Sequence, residues 1–267
     1  MHRPSFVLAT SALTLIASAA AAQSAPTRSS LGEQGQMIFG AERVLSLFEF
    51  QSFKTTATVN NITTSDSGSG TAISFVSFNP TGPIGANGGG IGVPTFYTIP
   101  RLGFDYVVVP NLTVGGSAAL VIPTGAGHTT VQTNNGQTVT STTDGATTSL
   151  FGLAPRAGYV IALSEMFAIW PRGGFSFYSA TLKLPPVTQG NQTSQDSFTI
   201  TQFAFNAEGN FVFTPFPHVG LMAGLALDVP LTGSFKQERV QGNTTTTTTA
   251  DATMWHLGIN AGMIVYF

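Results

Sequence analysis

The chain has 267 residues, and only 8% of them are Asp, Glu, Lys or Arg, about a third of the fraction usual in soluble globular domains. Ten basic and twelve acidic residues nearly balance. This balance excludes a basic nucleic-acid-binding protein and a charge-extended disordered chain. Because no cysteine is present, a disulfide framework and a thiolate metal site are excluded as well.

Residues 1–22 have the features of a secretory signal peptide. His2 and Arg3 form a charged start, residues 6–17 an apolar stretch, and three alanines before Gln23 a small-residue cleavage site. The alternative is an uncleaved anchor helix, but such a helix needs about 20 apolar residues, and polar residues interrupt this run. We therefore expect cleavage after residue 22 and export of the mature chain.

Alternation of apolar residues with polar or small ones predicts β-strands in the rest of the chain. In the clearest segment, residues 219–231, every odd-numbered residue is apolar, whereas the even-numbered ones include Gly220 and Asp228. This segment is longer than typical strands of soluble sheets and long enough to cross a membrane when tilted. Seven such segments follow residue 100, and a less regular first strand near residues 37–53 brings the prediction to eight. In that first strand the neighbours Glu42 and Arg43 require a β-bulge or a position at a barrel rim, and its inward face stays undecided.

The predicted connections between strands alternate in length along the whole chain. Long or medium connections lie near residues 54–93, 124–147, 185–195 and 236–250, and short ones separate them. Within the second, residues 129–140 predict a hairpin around Asn135 and Gly136. Outer-membrane barrels alternate long outer loops with short periplasmic turns in this way, and an even number of strands puts both chain ends on the short-turn side.

Six charged residues lie in the middle of strands two to eight, and all six are on the face opposite to the apolar one. They are Arg101, Asp105, Arg156, Arg172, Glu208 and Asp228. An apolar outside with a charged inside is the inverse of a water-soluble barrel. The sequence therefore predicts an all-β fold, an antiparallel eight-stranded transmembrane up-and-down β-barrel over residues 35–267, after a short periplasmic segment at 23–34.

Two interpretations of the six inward charges are open. They either form a salt-bridged plug, since eight strands leave an interior that side chains can fill, or they line a narrow channel. Asn206, Asn210 and Asn260 lie on the same inward face and are expected to help pair these charges. Three residues of each sign favour the plug, because a lining selective for ions of one sign would be lopsided.

Three strands share the sequence Pro-Arg-x-Gly-aromatic, beginning at Pro100, Pro155 and Pro171, and the last segment alternates up to a final aromatic residue. These features resemble the small eight-stranded outer-membrane β-barrel proteins of Gram-negative bacteria, the superfamily that contains the barrel of outer membrane protein A. The resemblance implies an outer-membrane location, lipid contact, and recognition of the C-terminal strand by the barrel assembly machinery. The residues that would carry this assembly signal are Met263, Val265, Tyr266 and Phe267.

Candidate catalytic or metal-binding residues are few after residue 22. His128 lies near Ser141 and Asp144 in sequence without the spacing of a triad, while His218 and His256 are expected to be structural. Neither a metal site nor a cofactor is expected. The sequence favours a non-enzymatic structural or surface-interaction protein and leaves an extracellular ligand or surface partner open. A narrow porin-like channel for small solutes is the second interpretation, and a lipid-acting outer-membrane enzyme is the third.

Overall fold

The computed structural model describes residues 30–59, 62–72, 82–84, 91–93, 97, 99–122, 127–134, 137–189 and 192–267. The predicted signal peptide and parts of the predicted outer loops lie outside these residues. In the described part of the chain, no helix has the length and apolar character needed to cross a membrane.

Eight antiparallel strands form a closed ring. They are β1 (Met37–Val59), β2 (Arg101–Val109), β3 (Leu112–Val121), β4 (Thr147–Tyr159), β5 (Phe167–Lys183), β6 (Gln192–Phe216), β7 (Val219–Gln241) and β8 (Thr244–Tyr266). Each strand pairs with the next one in sequence, and β8 pairs with β1 to close the ring. The predicted antiparallel eight-stranded up-and-down barrel is thus confirmed.

Short additional strands lie between the barrel strands. Ile62–Ala72 pairs with β1, Ile161–Ala162 with β5, and Val187–Gln189 with β6. Gly82–Ile84 pairs with Ile91–Val93. Gly127–Asn134 and Gln137–Asp144 form a separate hairpin in which Asn134 faces Gln137. This pairing confirms the hairpin predicted around residues 135 and 136, although the turn itself lies outside the described residues.

The connection predicted near 236–250 is a paired hairpin and not an irregular loop, because strands occupy most of it. β7 continues to Gln241, β8 begins at Thr244, and the intervening turn contains Gly242 with a φ of 56°. β1 likewise continues to Val59 and β6 begins at Gln192, inside the loops predicted at 54–93 and 185–195. Threonine favours an extended backbone. Because these strands have water on both faces, they need no apolar alternation, and the pattern that predicted the other strands is absent here.

The outer surface of the barrel is an apolar belt. On β8 it runs from Trp255 to Val265, above which Asp251 is exposed. At about 3.3 Å per residue and a tilt of about 40°, this segment spans roughly 25 Å of height, the thickness of the apolar band of transmembrane barrels. Aromatic side chains with about half of their surface exposed lie around the ring, among them Phe104, Phe151, Phe175, Phe205, Phe211 and Trp255. An exposed apolar surface of this extent is stable against lipid and not against water.

A β-bulge interrupts β1. Its register against β8 shifts between Ala41 and Leu45, and Arg43 has a φ of 52°. Both Glu42 and Arg43 point into the barrel, with 2% and 3% of their surfaces exposed. The sequence required a bulge or a rim position here, and the structure has the bulge.

A charge placed on the belt tests whether it lies in lipid. Leu257→Arg, at mid-height on β8, is expected to lower the free energy of unfolding by about 2–4 kcal/mol, the cost of Arg at the midplane of a bilayer. Thr247→Arg, on the same strand but outside the belt, is the control and is expected to change it by less than about 1 kcal/mol. Urea unfolding of the protein in lipid vesicles measures both. Equal effects at the two positions would show that the belt does not meet lipid.

Candidate functional site: the lumen of the barrel

An apolar cluster closes the lumen at the end where the short turns lie. Its members come from the strand ends, from the segment before β1 and from the residue after β4, and are Leu31, Ile38, Val107, Val160, Ala168, Trp170, Val212, Met222, Ile264 and Tyr266. The segment before β1 folds against this end: the amide of Gly35 donates to the carbonyl of Val107 at 2.9 Å, and the amide of Asn111 to that of Gly32 at 2.8 Å. We call this group the short-turn cluster.

A second apolar cluster lies at the opposite end of the lumen, and we call it the long-loop cluster. It consists of Tyr97, Ala119, Leu150, Tyr178, Ala180, Ile200 and Met254. Tyr97, which precedes β2, enters the lumen and is fully buried. Its hydroxyl accepts a hydrogen bond from Nε2 of Gln202 and donates to the carbonyl of Met254 at 3.2 Å. A residue from a connection between strands therefore fills this end.

Between the two clusters lies a network of ion pairs, which begins at Arg156 on β4. Its Nε donates to Oδ1 of Asp105 at 3.1 Å, and its Nη1 donates to Oε2 of Glu42 at 2.7 Å. Arg156 thus joins a carboxylate of β2 to one of β1. All three side chains are buried.

The network continues across the barrel through Arg172 and Arg43. Arg172 donates to Glu42 at 2.7 Å and to Glu208 at 2.5 Å. Arg43 then donates to the other oxygen of Glu208 at 2.9 Å and to Asp228 at 3.2 Å. Carboxylates and guanidinium groups alternate along the series. We call these seven residues the ion-pair network: Asp105, Arg156, Glu42, Arg172, Glu208, Arg43 and Asp228.

Polar side chains complete the network at its edges. Asn206 donates to Asp228 at 2.7 Å, and Nδ1 of His256 lies 3.0 Å from the same carboxylate. With its amide oxygen facing Arg172, Asn210 accepts from Nε at 3.2 Å and from Nη2 at 3.0 Å. Oδ1 of Asn260 lies 3.5 Å from the hydroxyl of Ser46.

Five of the six charged residues that the sequence singled out lie in the network, and Arg101 is the exception. Its guanidinium is buried, but it makes no ion pair among the described residues, so the pairing predicted for it is wrong. Sequence reasoning instead missed Glu42 and Arg43. Two adjacent opposite charges in an otherwise apolar stretch were the available signal, but only the bulge turns both side chains inward.

The interior leaves little free space. A cavity of about 10 Å³ lies beside Glu42, Arg172, Glu208 and Asn260, enough for about one water molecule. Trp170 is fully buried, donates to the hydroxyl of Thr113 at 3.1 Å, and has the guanidinium of Arg172 over its ring at 4.6 Å. Arg172, its ion-pair partners and Trp170 thus occupy the lumen around this cavity.

The three histidines in the described part of the chain lie at separate places in the fold. Nδ1 of His218, in the turn between β6 and β7, is 2.9 Å from the carbonyl of Tyr266, whereas His256 stacks on Tyr97 with ring centres 4.9 Å apart. The backbone of His128 faces that of Thr143 in the separate hairpin, while Ser141 faces Thr130 and Asp144 faces Gly127. No group of three His, Cys, Asp or Glu in the described part of the chain could hold a metal ion.

The residues that the sequence proposed as an assembly signal lie on the strand that closes the barrel. Val265 pairs with Phe39 and Tyr266 with Ile38 of β1. Tyr266 is buried in the short-turn cluster, whereas Met263 and Phe267 are exposed on the outside.

Outside the belt, β6 and β7 are joined by an exposed ion pair. Nε and Nη2 of Arg239 donate to the two oxygens of Asp196 at 2.7 and 2.8 Å. These hydrogen bonds hold the pKa of Asp196 below its usual value.

No family model and no curated protein matches the sequence. Among solved structures, the chain is similar to a major outer membrane protein from Thermus thermophilus, with 11% identity and a TM-score of 0.42 over 82% of this chain and 99% of that one. It is also similar to the outer membrane protein OprG from Pseudomonas aeruginosa, with 12% identity and a TM-score of 0.40 over 88% and 97% of the two chains. A third is the outer membrane protease OmpT from Escherichia coli, with 7% identity and a TM-score of 0.38 over 91% and 100%. At these values the barrel assignment rests on this chain's own strand pairing.

Removing one arginine of the ion-pair network is expected to destabilise the barrel strongly. Arg172→Met leaves Glu42 and Glu208 short of a buried cation, which costs about 3–5 kcal/mol. The control is Lys183→Met at the exposed end of the same strand, for which a change below about 0.5 kcal/mol is expected. Unfolding in urea measures both, and an unchanged midpoint for Arg172→Met would contradict a structural network.

The Asp196–Arg239 pair is expected to make the outer part of β6 and β7 sensitive to acid. Because the folded pKa of Asp196 is lowered, the pair contributes fully above the usual carboxyl range and is lost as the pH falls below it. Amide exchange protection at Val240 is therefore expected to drop in acid. In the control Arg239→Gln, the protection at Val240 should already be low at neutral pH and should change little in acid. If protection drops equally in both proteins, the pair is not the cause.

Proposed function

We propose that this chain is an integral outer-membrane protein of a Gram-negative bacterium, with a structural or surface-interaction role and a lumen closed to solutes. The observation that carries the proposal is the order of layers along the lumen: the ion-pair network lies between the short-turn cluster and the long-loop cluster. An ion moving along the axis would have to displace both apolar layers and break buried ion pairs.

The composition of the network supports closure over selective conduction. A lining that conducts presents charged groups to water and favours ions of one sign. Here three arginines donate hydrogen bonds to four carboxylates, and all seven side chains are almost completely buried. A buried network of this kind fixes the positions of the strands that contribute to it.

The surface-interaction part of the proposal rests on the strands that extend beyond the belt. β7 and β8 stay paired from Ser234 and Asp251 to Gln241 and Thr244. The threonines at 244–249 are all exposed and uncharged, and a solvated sheet of this kind suits contact with an extracellular partner.

The remaining steps follow the usual route of such proteins. The chain is exported by the signal at residues 1–22 and cleaved, and its C-terminal strand engages the barrel assembly machinery through Met263, Val265, Tyr266 and Phe267. Outer-membrane lipids then cover the belt. The role is non-enzymatic in this proposal, since His218 and His256 are held by the contacts described above at separate places in the barrel.

Conductance measurements test the closed lumen. The purified protein, shown to be folded by its heat-modifiable mobility on gels, is expected to give no channel steps in planar bilayers. A triple variant, Tyr97→Ala with Trp170→Ala and Arg172→Ala, removes a side chain from both apolar layers and from the ion-pair network, and serves as the open control, for which steps are expected. Steps from the unmodified protein would overturn the proposal and favour the narrow porin-like channel.

A further inference from the structure

Arg101 is a buried arginine without an ion pair among the described residues. Only 2% of its surface is exposed, and Nε, Nη1 and Nη2 all lack a hydrogen-bond partner. Its guanidinium contacts the ring of Tyr178 at 5.1 Å. A contact with a ring face compensates a buried cation only in part, so the guanidinium has unused capacity to donate hydrogen bonds.

Two buried hydroxyl groups near Arg101 also lack a hydrogen-bond partner. Ser117 on β3 and Ser176 on β5 are buried, and neither Oγ has a partner among the described residues. Ser117 faces Gly103, which lies two residues from Arg101 on the same face of β2. Ser176 lies two residues before Tyr178, the residue whose ring the guanidinium reaches.

The inner wall around these groups is made of small residues. Ser117 faces Ala154 on β4, and Ser176 faces Ala204 on β6. Arg101 therefore reaches from β2 to a ring on β5 across residues too small to offer polar partners. The small residues by themselves do not indicate a binding site. The indication comes from the buried guanidinium that reaches across them without a hydrogen-bond partner.

We infer that Arg101, with Ser117 and Ser176, holds a small inorganic anion of the size of chloride inside the barrel. A guanidinium can only donate hydrogen bonds and the two hydroxyls have free hydrogens, so the missing partner is a group that only accepts. A water molecule would bring two further hydrogens, whereas the four lumen carboxylates are already engaged by Arg43, Arg156, Arg172 and His256.

The charge balance indicates that binding is weak. Four arginines and four carboxylates are buried in the described lumen, so their charges cancel when His256 is neutral. An anion beside Arg101 satisfies the local guanidinium but adds one negative charge to the interior. Halide therefore has to be titrated over a wide range against gluconate, a much larger anion, at constant ionic strength.

Thermal unfolding of the folded protein in detergent tests the site. Replacing gluconate with bromide is expected to raise the midpoint of the unmodified protein by about 2–4 °C, the shift that about 1 kcal/mol produces in a chain of this size. Arg101→Met is expected to show no bromide dependence, because the guanidinium that donates hydrogen bonds to the anion is absent. Arg239→Met, which changes an exposed arginine outside the lumen, should keep the full bromide response.

Two outcomes overturn the inference. In one, bromide does not raise the unfolding midpoint of the unmodified protein; in the other, bromide raises the midpoint of Arg101→Met by the same amount. If Arg101→Met does not fold, the double variant Ser117→Ala with Ser176→Ala keeps the cation and is expected to need several-fold more bromide for the same shift. Crystals grown in bromide give the direct readout: an anomalous peak beside the guanidinium supports the site, and a water molecule without anomalous signal there refutes it.

Discussion

The alternating series of carboxylates and guanidinium groups across the lumen is the interaction on which the other features of the barrel depend. Lipid outside leaves the interior as the only place for charge within the membrane, and eight strands leave room there for little more than side chains. Burial makes an unpaired charge costly, and seven of the eight arginines and carboxylates buried in the described lumen form ion pairs. The network also explains why glycine lies beside it. A Cβ on Gly103 would lie 2.5 Å from Oε1 of Glu42, and one on Gly158 would lie 2.8 Å from Cγ of Arg172.

The bulge in β1 supplies what this network needs at some cost in backbone strain. Arg43 adopts a left-handed conformation that costs a non-glycine residue on the order of 1 kcal/mol. In return, two adjacent residues point to the same side, and Glu42 and Arg43 connect halves of the network that would otherwise be separate. The bulge also precedes a change of partner, because β1 pairs with β2 only up to Glu42 and with Ile62–Ala72 from Glu49 onward.

The two ends of the molecule serve different purposes. At the short-turn end, the segment before β1 and the short-turn cluster seal the lumen, and the strand ends are tied together by backbone hydrogen bonds such as those between Met37 and Phe267. At the other end the strands leave the belt and become a polar, two-sided sheet. Apolar clusters lie at both ends of the lumen, and the polar sheet extends beyond the long-loop cluster, so the proposed surface role does not require an open lumen.

The sequence by itself determined the number of strands, their direction and the face that each of β2 to β8 turns inward, because side-chain alternation is a local property of an extended backbone. It also determined that charge is kept off the lipid face, which explains the 8% of charged residues. Only the tertiary structure decided which charges meet. Arg101 has the same inward parity as Arg156 and Arg172, yet it pairs with no carboxylate among the described residues, while Glu42 and Arg43, whose parity was ambiguous, do form ion pairs. The physical reason is that a partner across a lumen depends on strand register, on the bulge and on the reach of each side chain, and none of these is encoded in the periodicity of a single strand.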